Sequence, residues 1–242
     1  MIVFFKMKMV DIQPLHIKKW HTEILEEGLS NNYLKDLHQC MKEIFDMAIS
    51  LGAVSENPVR KAGNVSSTKH RVDFWTKEEF ELFIRTFEKA DVLEHLKFIT
   101  CLVLFMTGLR ISELQALVWD DIDFIDKSLI VSKSMFYQNK NKWQINPTKT
   151  FSGNRLIYLD GMTLSNLLEW REHQKKLGKI DFIFSYNCLP ITKTMLNNAI
   201  AAHSQLAGVK TIRIHDLRHS HASLLLSLGM NDLELKNRLG HA

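Results

Sequence analysis

The sequence predicts a mainly α-helical protein that also contains a small antiparallel β-sheet. Apolar residues recur at three- and four-residue spacing near both ends of the chain, whereas short β-branched or alternating runs are confined to residues 129–159. The chain has 242 residues, of which 45% are hydrophobic, which is enough for one complete domain and a smaller or partial one. No apolar stretch approaches the length of a membrane span, so we expect a soluble, cytoplasmic protein.

Two helices are predicted in the amino-terminal region. Residues 12–27 and 31–51 show helical periodicity, and Gly28 and Gly52 follow them as stops. From residue 56 the periodicity is lost and Pro58 and Gly63 appear. We therefore predict a helical domain over residues 1–58, a basic linker over 59–73 and a larger domain over 74–242. Four basic residues of this region are predicted to lie along DNA: Arg60, Lys61, Lys69 and Arg71.

The larger domain is predicted to be mixed. Thr76 and Glu79 can form a capping box that starts a helix, and a buried helix over 93–107 ends at Gly108. A short helix over 111–118 follows. Strands are predicted at 129–131, 143–145 and 155–159, with Lys149 near the turn of the last hairpin. Further helices are predicted at 164–177, 194–207 and 216–228.

Charge is distributed unevenly along the chain. Residues 1–126 carry 15 Lys and Arg against 20 Asp and Glu, a net charge of −5, whereas residues 127–242 carry 16 against 7, a net charge of +9. Two stretches, 127–159 and 182–215, contain basic residues and no acidic ones. Such stretches suit a surface that faces phosphates, although a solvated charged face explains them equally well. The predicted DNA contacts here are Lys133, Lys140, Lys142, Arg155, Lys193 and Arg213.

The first candidate site motif is Thr107-Gly108-Leu109-Arg110-Ile111-Ser112-Glu113-Leu114. Arg110 follows a helix break and lies between apolar segments, where a guanidinium needs an anionic partner. The alternative is a purely structural role, in which Arg110 forms a salt bridge to Glu113, three residues later on the same helix face.

The second motif is Ile214-His215-Asp216-Leu217-Arg218-His219-Ser220-His221, which opens an apolar helix. His215 and Arg218 are three residues apart and lie near a helix amino terminus, which also favours an anion. A metal site formed by the three histidines is the weaker interpretation, because Arg218 would repel a cation. The third motif, Arg238-Leu239-Gly240-His241, means little alone.

Together with Lys149, these motifs resemble the tyrosine recombinase (phage integrase) family. The family pattern is an arginine after a Thr-Gly-Leu turn, a hairpin lysine, a His-x-x-Arg helix start and then Leu-Gly-His, and this order is kept here. The resemblance runs from about Trp75 to the last residue. It implies that residues 74–242 are a mixed α/β catalytic domain and that residues 1–58 are part of a helical core-binding domain.

The resemblance implies a metal-free and ATP-free transesterification on double-stranded DNA, through a 3′-phosphotyrosyl intermediate, with no cofactor. The catalytic residues would be Arg110, Lys149, His215, Arg218 and His241. The two arginines would hold the scissile phosphate, the histidines would assist proton movement, and Lys149 would protonate the leaving 5′ oxygen. Glu113 would orient this cationic site from behind. Full-length relatives of this kind would self-associate on recombination sites.

The position of the nucleophile departs from this pattern. In the family a tyrosine follows the Leu-Gly-His, whereas the tyrosines here, Tyr33, Tyr137, Tyr158 and Tyr186, all precede it. We therefore expect integration or excision chemistry from a catalytic domain that itself lacks the tyrosine. The alternatives are an inactive DNA-binding remnant of an integrase, or a helical protein unrelated to DNA whose arginines form core salt bridges.

Overall fold

A computed structural model describes residues 6–66, 73–148 and 153–240. The chain divides into two compact units, Met1–Arg71 and Val72–Ala242. Both contain helices, and the second also contains small antiparallel sheets, which confirms the predicted fold class. Within the described ranges, no helix combines the length and apolar character that crossing a membrane requires.

Among its described residues, the first unit packs three helices around a small apolar core. They are α1 (Pro14–Glu26), α2 (Asn31–Ser50) and α3 (Pro58–Ala62), and a 3-10 turn at Met9–Asp11 precedes them. The predicted bounds of the first two helices differ from the observed ones by at most two residues. The side chain of Ser30 caps α2 by accepting from the amide of Tyr33. The buried apolar core consists of Ile17, Trp20, Leu34, Phe45 and Val59.

The start of the predicted linker is instead part of this first unit. The Asn57 side chain accepts hydrogen bonds from the amides of Val59 and Arg60, and Pro58 occupies the first helical position of α3. Asn57 also donates to the carbonyl of Lys42 and to Asp46, and the side chain of Val59 is buried in the core. The helix has only five residues, too few for a visible period, which is why periodicity placed it in the linker.

The second unit contains seven helices among its described residues. The helix α5 is its central element, because nearly every residue from His95 to Phe105 is buried. The capping box predicted at Thr76 and Glu79 is present at the start of α4. The helices are α4 (Lys77–Ile84), α5 (Val92–Thr107), α6 (Ile111–Gln115), α7 (Gly161–Lys175), α8 (Lys193–Ala207), α9 (Asp216–Ser227) and α10 (Asp232–Leu239).

In the part of the chain that the structure describes, two separate antiparallel sheets replace the single predicted one. Strands β1 (Ile122–Asp123), β2 (Ser128–Val131) and β5 (Arg155–Tyr158) form one sheet, with Leu129 opposite Ile157. Strands β3 (Lys133–Asn139) and β4 (Lys142–Pro147) form the other, with Met135 opposite Ile145. Since β4 pairs with β3 and β5 pairs with β2, the prediction of a hairpin between β4 and β5 is wrong. The connection that contains Lys149 therefore links two sheets.

Candidate active site

The turn between α5 and α6 is fixed by Gly108. Its φ of +65° lies in the left-handed region, which favours glycine. A β-carbon at this position would lie 2.6 Å from Cδ2 of His221 and 2.7 Å from Cδ2 of Leu239. Glycine thus serves both the backbone turn and the close approach of α9 and α10 to the segment that carries Arg110.

Arg110 and Glu113 form the ion pair that their three-residue spacing makes possible. Arg110 is the residue before α6, and its amide and its Nη1 each donate to the Glu113 carboxylate at 2.9 Å. Glu113 is only 3% exposed. Burial acts to raise the pKa of Glu113, but hydrogen bonds and charge from Arg155 and Arg110 outweigh it and hold the pKa below its ordinary value. The Arg110 side chain remains 38% exposed, so the ion pair anchors this guanidinium without burying it.

Arg218 lies in the first turn of α9 and is buried. Its Nη1 donates to the carbonyl of Gly108 at 2.6 Å, and its Nη2 donates to the carbonyl of Leu239 at 2.5 Å. Burial and then the positive charge of Arg110 lower the pKa of Arg218 to about 10, so the guanidinium stays protonated at neutral pH. Arg218 therefore ties the α5–α6 turn to the end of α10 while it holds its charge beside Arg110.

His215 precedes α9 and presents an imidazole on the same side as Arg218. Partial burial, followed by the nearby His219 ring and the charge of Arg218, lowers the pKa of His215. The two histidine rings meet edge to face, with centroids 5.4 Å apart. Neutral imidazole, which can both donate and accept a proton, is thus the favoured form near neutral pH.

These side chains line one cavity of about 470 Å³. Arg110, Arg218 and His215 all contribute to it, so three of the five predicted catalytic residues converge there. The cationic character of the lining suits an oxyanion, because planar guanidinium groups can hold two oxygens in fixed positions. The described lining residues are Arg110, His215, Arg218, His219, Ala222, Asp232, Leu235, Lys236 and Leu239.

Two predicted catalytic residues, Lys149 and His241, lie outside the described residues. The chain immediately before His241 is described and borders the site. Arg110 Nη2 donates to the carbonyl of Gly240 at 3.5 Å, and α10 ends at Leu239. The Leu-Gly pair of the third motif therefore contacts both arginines.

The three histidines of the second motif do not face the same space. His215 and His219 line the cavity, whereas His221 is 1% exposed and its Nε2 accepts a hydrogen bond from Nε of Arg238 at 3.1 Å. Burial and the charge of Arg238 lower the pKa of His221 to about 3. His221 is therefore a neutral interior residue that positions α10 against α9.

Arg155 differs from its predicted placement on a DNA-facing surface. Its side chain is 6% exposed and its Nη2 donates to Glu113 at 2.8 Å, so it is not positioned as a surface cation. Sequence reasoning missed this partnership, and it also missed the inward position of Arg238. No local signal reveals either one, because both depend on contacts between distant elements.

The other predicted DNA contacts differ in their availability. Lys140 and Lys142, at the turn between β3 and β4, and Lys193, which starts α8, are exposed. The rest of the described set is engaged with carboxylates: Arg60 with Asp46, Lys61 with Glu56, Lys133 with Asp121, and Arg213 with Asp216. Lys69 and Arg71 lie outside the described residues.

Comparison with known proteins finds relatives of this chain. The family model described as phage integrase family matches residues 73–242. The ICEBs1 integrase of Bacillus subtilis (strain 168) is 30% identical, over 98% of this chain and 66% of that protein. The transposase from transposon Tn916 of Enterococcus faecalis is 26% identical, over 96% of this chain and 60% of that protein. The chain thus spans just under two thirds of the length of these relatives.

Solved structures show the same fold. The Tn1549 transposon integrase in complex with a circular intermediate DNA matches with a TM-score of 0.84 and 23% identity, over 97% of this chain and 79% of that chain. A lambda integrase dimer bound to a COC′ core site matches with a TM-score of 0.68 and 20% identity, over 96% of this chain and 80% of that chain. Since the family match covers more than half of its residues and the fold agrees, the chain belongs to the phage integrase family of tyrosine recombinases.

Proposed function

We propose that this chain takes part in site-specific DNA recombination that integrates or excises a mobile element. The observation that carries the proposal is the convergence of Arg110, Arg218 and His215 on one cavity from segments far apart in the sequence. The relatives named above are an integrase and a transposase of mobile elements. The substrate would be double-stranded DNA at a specific recombination site.

In this proposal the two guanidinium groups hold the non-bridging oxygens of the scissile phosphate. Arg110 is anchored by Glu113 and still has an exposed face, and Arg218 is fixed by two backbone carbonyls. Donors fixed in advance stabilise the charge that develops on phosphate oxygens without reorganising during the reaction. Glu113 acts from behind, because it contacts Arg110 and does not line the cavity.

Proton movement would involve His215, Lys149 and His241. A tyrosine oxygen forms the new bond to the 3′ phosphate, and the 5′ oxygen leaves with a proton that Lys149 would supply. The lowered pKa of His215 makes its neutral form available near neutral pH. The roles of Lys149 and His241 rest on their match to the family pattern.

The nucleophile is the point on which two candidate functions differ. Among the described residues that line the cavity there is no tyrosine. The first candidate is a recombinase whose tyrosine comes from outside these residues, and the second is a DNA-binding protein that occupies its site without cutting it. The fixed arginines serve either function, since both require a held phosphate.

DNA would be bound by both units. The first unit, with Arg60 and Lys61 on α3, would act as a helical core-binding domain, and exposed Lys140, Lys142 and Lys193 would add phosphate contacts. Lambda integrase has been solved as a dimer on a core site and as a tetramer on a Holliday junction. We propose that this protein likewise self-associates on its DNA.

DNA binding is tested by measuring affinity for a duplex over a series of salt concentrations. Loss of one phosphate contact in Arg110→Ala should weaken binding and lower the slope of log affinity against log salt by about one. Arg171→Ala is the matched control, because Arg171 packs over the ring of Trp119 instead. The proposal would be contradicted by a DNA affinity that does not change with salt concentration. It would also be contradicted if Arg110→Ala and the wild type had the same slope of log affinity against log salt.

Cleavage is tested on a nicked duplex that contains the recombination site selected from random DNA. Denaturing electrophoresis then separates a covalent protein–DNA adduct from DNA held without a covalent bond. An adduct with this chain would rule out the binding-only candidate. Binding without an adduct would favour it, provided that the same chain with the tyrosine-containing segment of a relative appended does form one.

A further inference from the structure

Arg155, the first residue of β5, is a buried arginine with several partners. We infer that Arg155 is a positioning residue for the phosphate site: it fixes Glu113, and through Glu113 it fixes the guanidinium of Arg110. The inference rests on the proposed function. The relevant contacts join β5 to α6 and to the end of α10.

The contact between Arg155 and Glu113 uses both carboxylate oxygens. Nη2 donates to Oε2 at 2.8 Å and Nη1 donates to Oε1 at 3.1 Å. The two side chains are 6% and 4% exposed, so water offers little competition for these bonds. Paired bonds between a guanidinium and a carboxylate fix direction as well as distance. The Glu113 carboxylate is therefore held from the β5 side in a single orientation.

The same two oxygens receive Arg110 from the other side. Arg110 donates its amide to Oε2 and its Nη1 to Oε1, each at 2.9 Å. One carboxylate thus lies between a buried arginine and a half-exposed one. Without Arg155, the buried carboxylate would keep only the donors of Arg110, and burial would then favour its protonated form. Protonated Glu113 would no longer fix the guanidinium of Arg110 by charge.

A second contact of Arg155 fixes the end of α10. Its Nε donates to the carbonyl of Arg238 at 2.8 Å. The next two carbonyls of this segment accept from the phosphate-binding arginines, Leu239 from Arg218 and Gly240 from Arg110. Arg155 therefore holds both the Arg110 side of the site and the end of α10.

Arg155 itself is not a phosphate ligand in this arrangement. Its Nε, Nη1 and Nη2 all donate to protein oxygens, and it is not among the described residues that line the cavity. The charged groups that face Glu113 are Arg155 from β5, Arg110 beside α6 and Arg218 from α9. If Arg155 acts through the charge of Glu113, the loss of anion affinity on replacing Arg155 should depend on pH. A loss of packing alone would not produce this pH dependence.

The experiment titrates inorganic sulfate into the whole chain, with arginine Nε–Hε NMR signals as the readout. Sulfate is the probe because it resembles phosphate but keeps its charge at both about pH 6 and about pH 8. We expect Arg155→Met to bind sulfate about tenfold more weakly than wild type at about pH 8, and still more weakly at about pH 6. Arg155→Lys should restore part of the affinity, since lysine keeps the charge without the fork.

A double variant shows whether Arg155 acts through Glu113. If it does, Glu113→Gln/Arg155→Met should bind sulfate no more weakly than Glu113→Gln alone, and the additional loss at low pH should disappear. Arg171→Met is the control for losing an arginine elsewhere in the same unit, and it should match wild type. If Arg155→Met does not fold, Arg155→Lys tests the same point through its partial loss and its pH dependence.

The outcomes separate this inference from the proposed function. Wild type that binds no sulfate, or whose affinity is unchanged by Arg110→Ala, would overturn the phosphate site and with it the role of Arg155. If Arg110→Ala weakens sulfate binding but Arg155→Met and Arg155→Lys do not, the positioning role alone is overturned. A loss in Arg155→Met that is equal at both pH values and adds fully to that of Glu113→Gln would assign Arg155 to packing instead.

Discussion

Replacing Gly108 with alanine should destabilise the second unit more than a conformational penalty alone can explain. A left-handed backbone costs an L-residue about 1–2 kcal/mol. The added β-carbon would also lie 2.6 Å from Cδ2 of His221, a buried ring that Arg238 contacts, and overpacking of this kind typically costs about 1–3 kcal/mol. The expected loss of unfolding free energy is therefore about 2–5 kcal/mol.

Gly208→Ala is a matched control for this prediction. Gly208 has φ +68° at the end of α8, close to the +65° of Gly108, but a β-carbon there meets nothing within 4 Å. It should therefore lose only the conformational part, about 1–2 kcal/mol. Urea unfolding monitored by tryptophan fluorescence reports mainly on the second unit, which holds four of the five tryptophans. Equal losses in the two variants would refute the steric argument.

Three further predictions concern stability. The pKa of His221 is about 3 in the folded chain, whereas its ordinary value is 6.5. Between these two pH values the unfolded chain binds more protons than the folded chain. The free energy of unfolding should therefore fall by up to about 3 kcal/mol from pH 7 to pH 4. Urea unfolding of His221→Gln at both pH values should show a smaller fall. Glu113→Ala should lose about 3–5 kcal/mol because it leaves buried Arg155 without its carboxylate, whereas exposed Glu172→Ala should show no measurable loss in the same assay. Thr76→Ala removes the cap of α4 and should cost about 1 kcal/mol by urea unfolding.

Local signals predicted most of the helical framework. The capping box at Thr76 and the turn at Gly108 are each specified by residues within four positions of one another, and both are present. The capping box of Asn231 and Glu234 at the start of α10 is of the same kind, although it was not predicted. Short-range hydrogen bonds can be anticipated because the chain itself brings the partners together.

Strand pairing was harder to predict because it depends on distant residues. The strand β3 has no clean alternation of apolar and polar residues, so β4 was assigned to the wrong partner. The contacts of the site show the same difference between local and distant partners. The pair of Arg110 and Glu113 lies within one helical turn and could be anticipated, whereas the bond from Arg155 to Glu113 spans 42 residues and depends on the pairing of β5 with β2.

The charges of the site indicate how such a fold could favour reaction over mere binding. Arg110, Arg155 and Arg218 surround a single buried carboxylate, so positive charge is in excess among them, and their mutual repulsion contributes to the lowered pKa of Arg218. A phosphodiester carries one negative charge, whereas the phosphorane-like state on the path to a phosphotyrosine carries more on the same oxygens. An excess of fixed positive charge therefore stabilises the second state more than the first. Under the proposed function, the repulsion that the fold maintains between its arginines is relieved most fully when the phosphate is attacked.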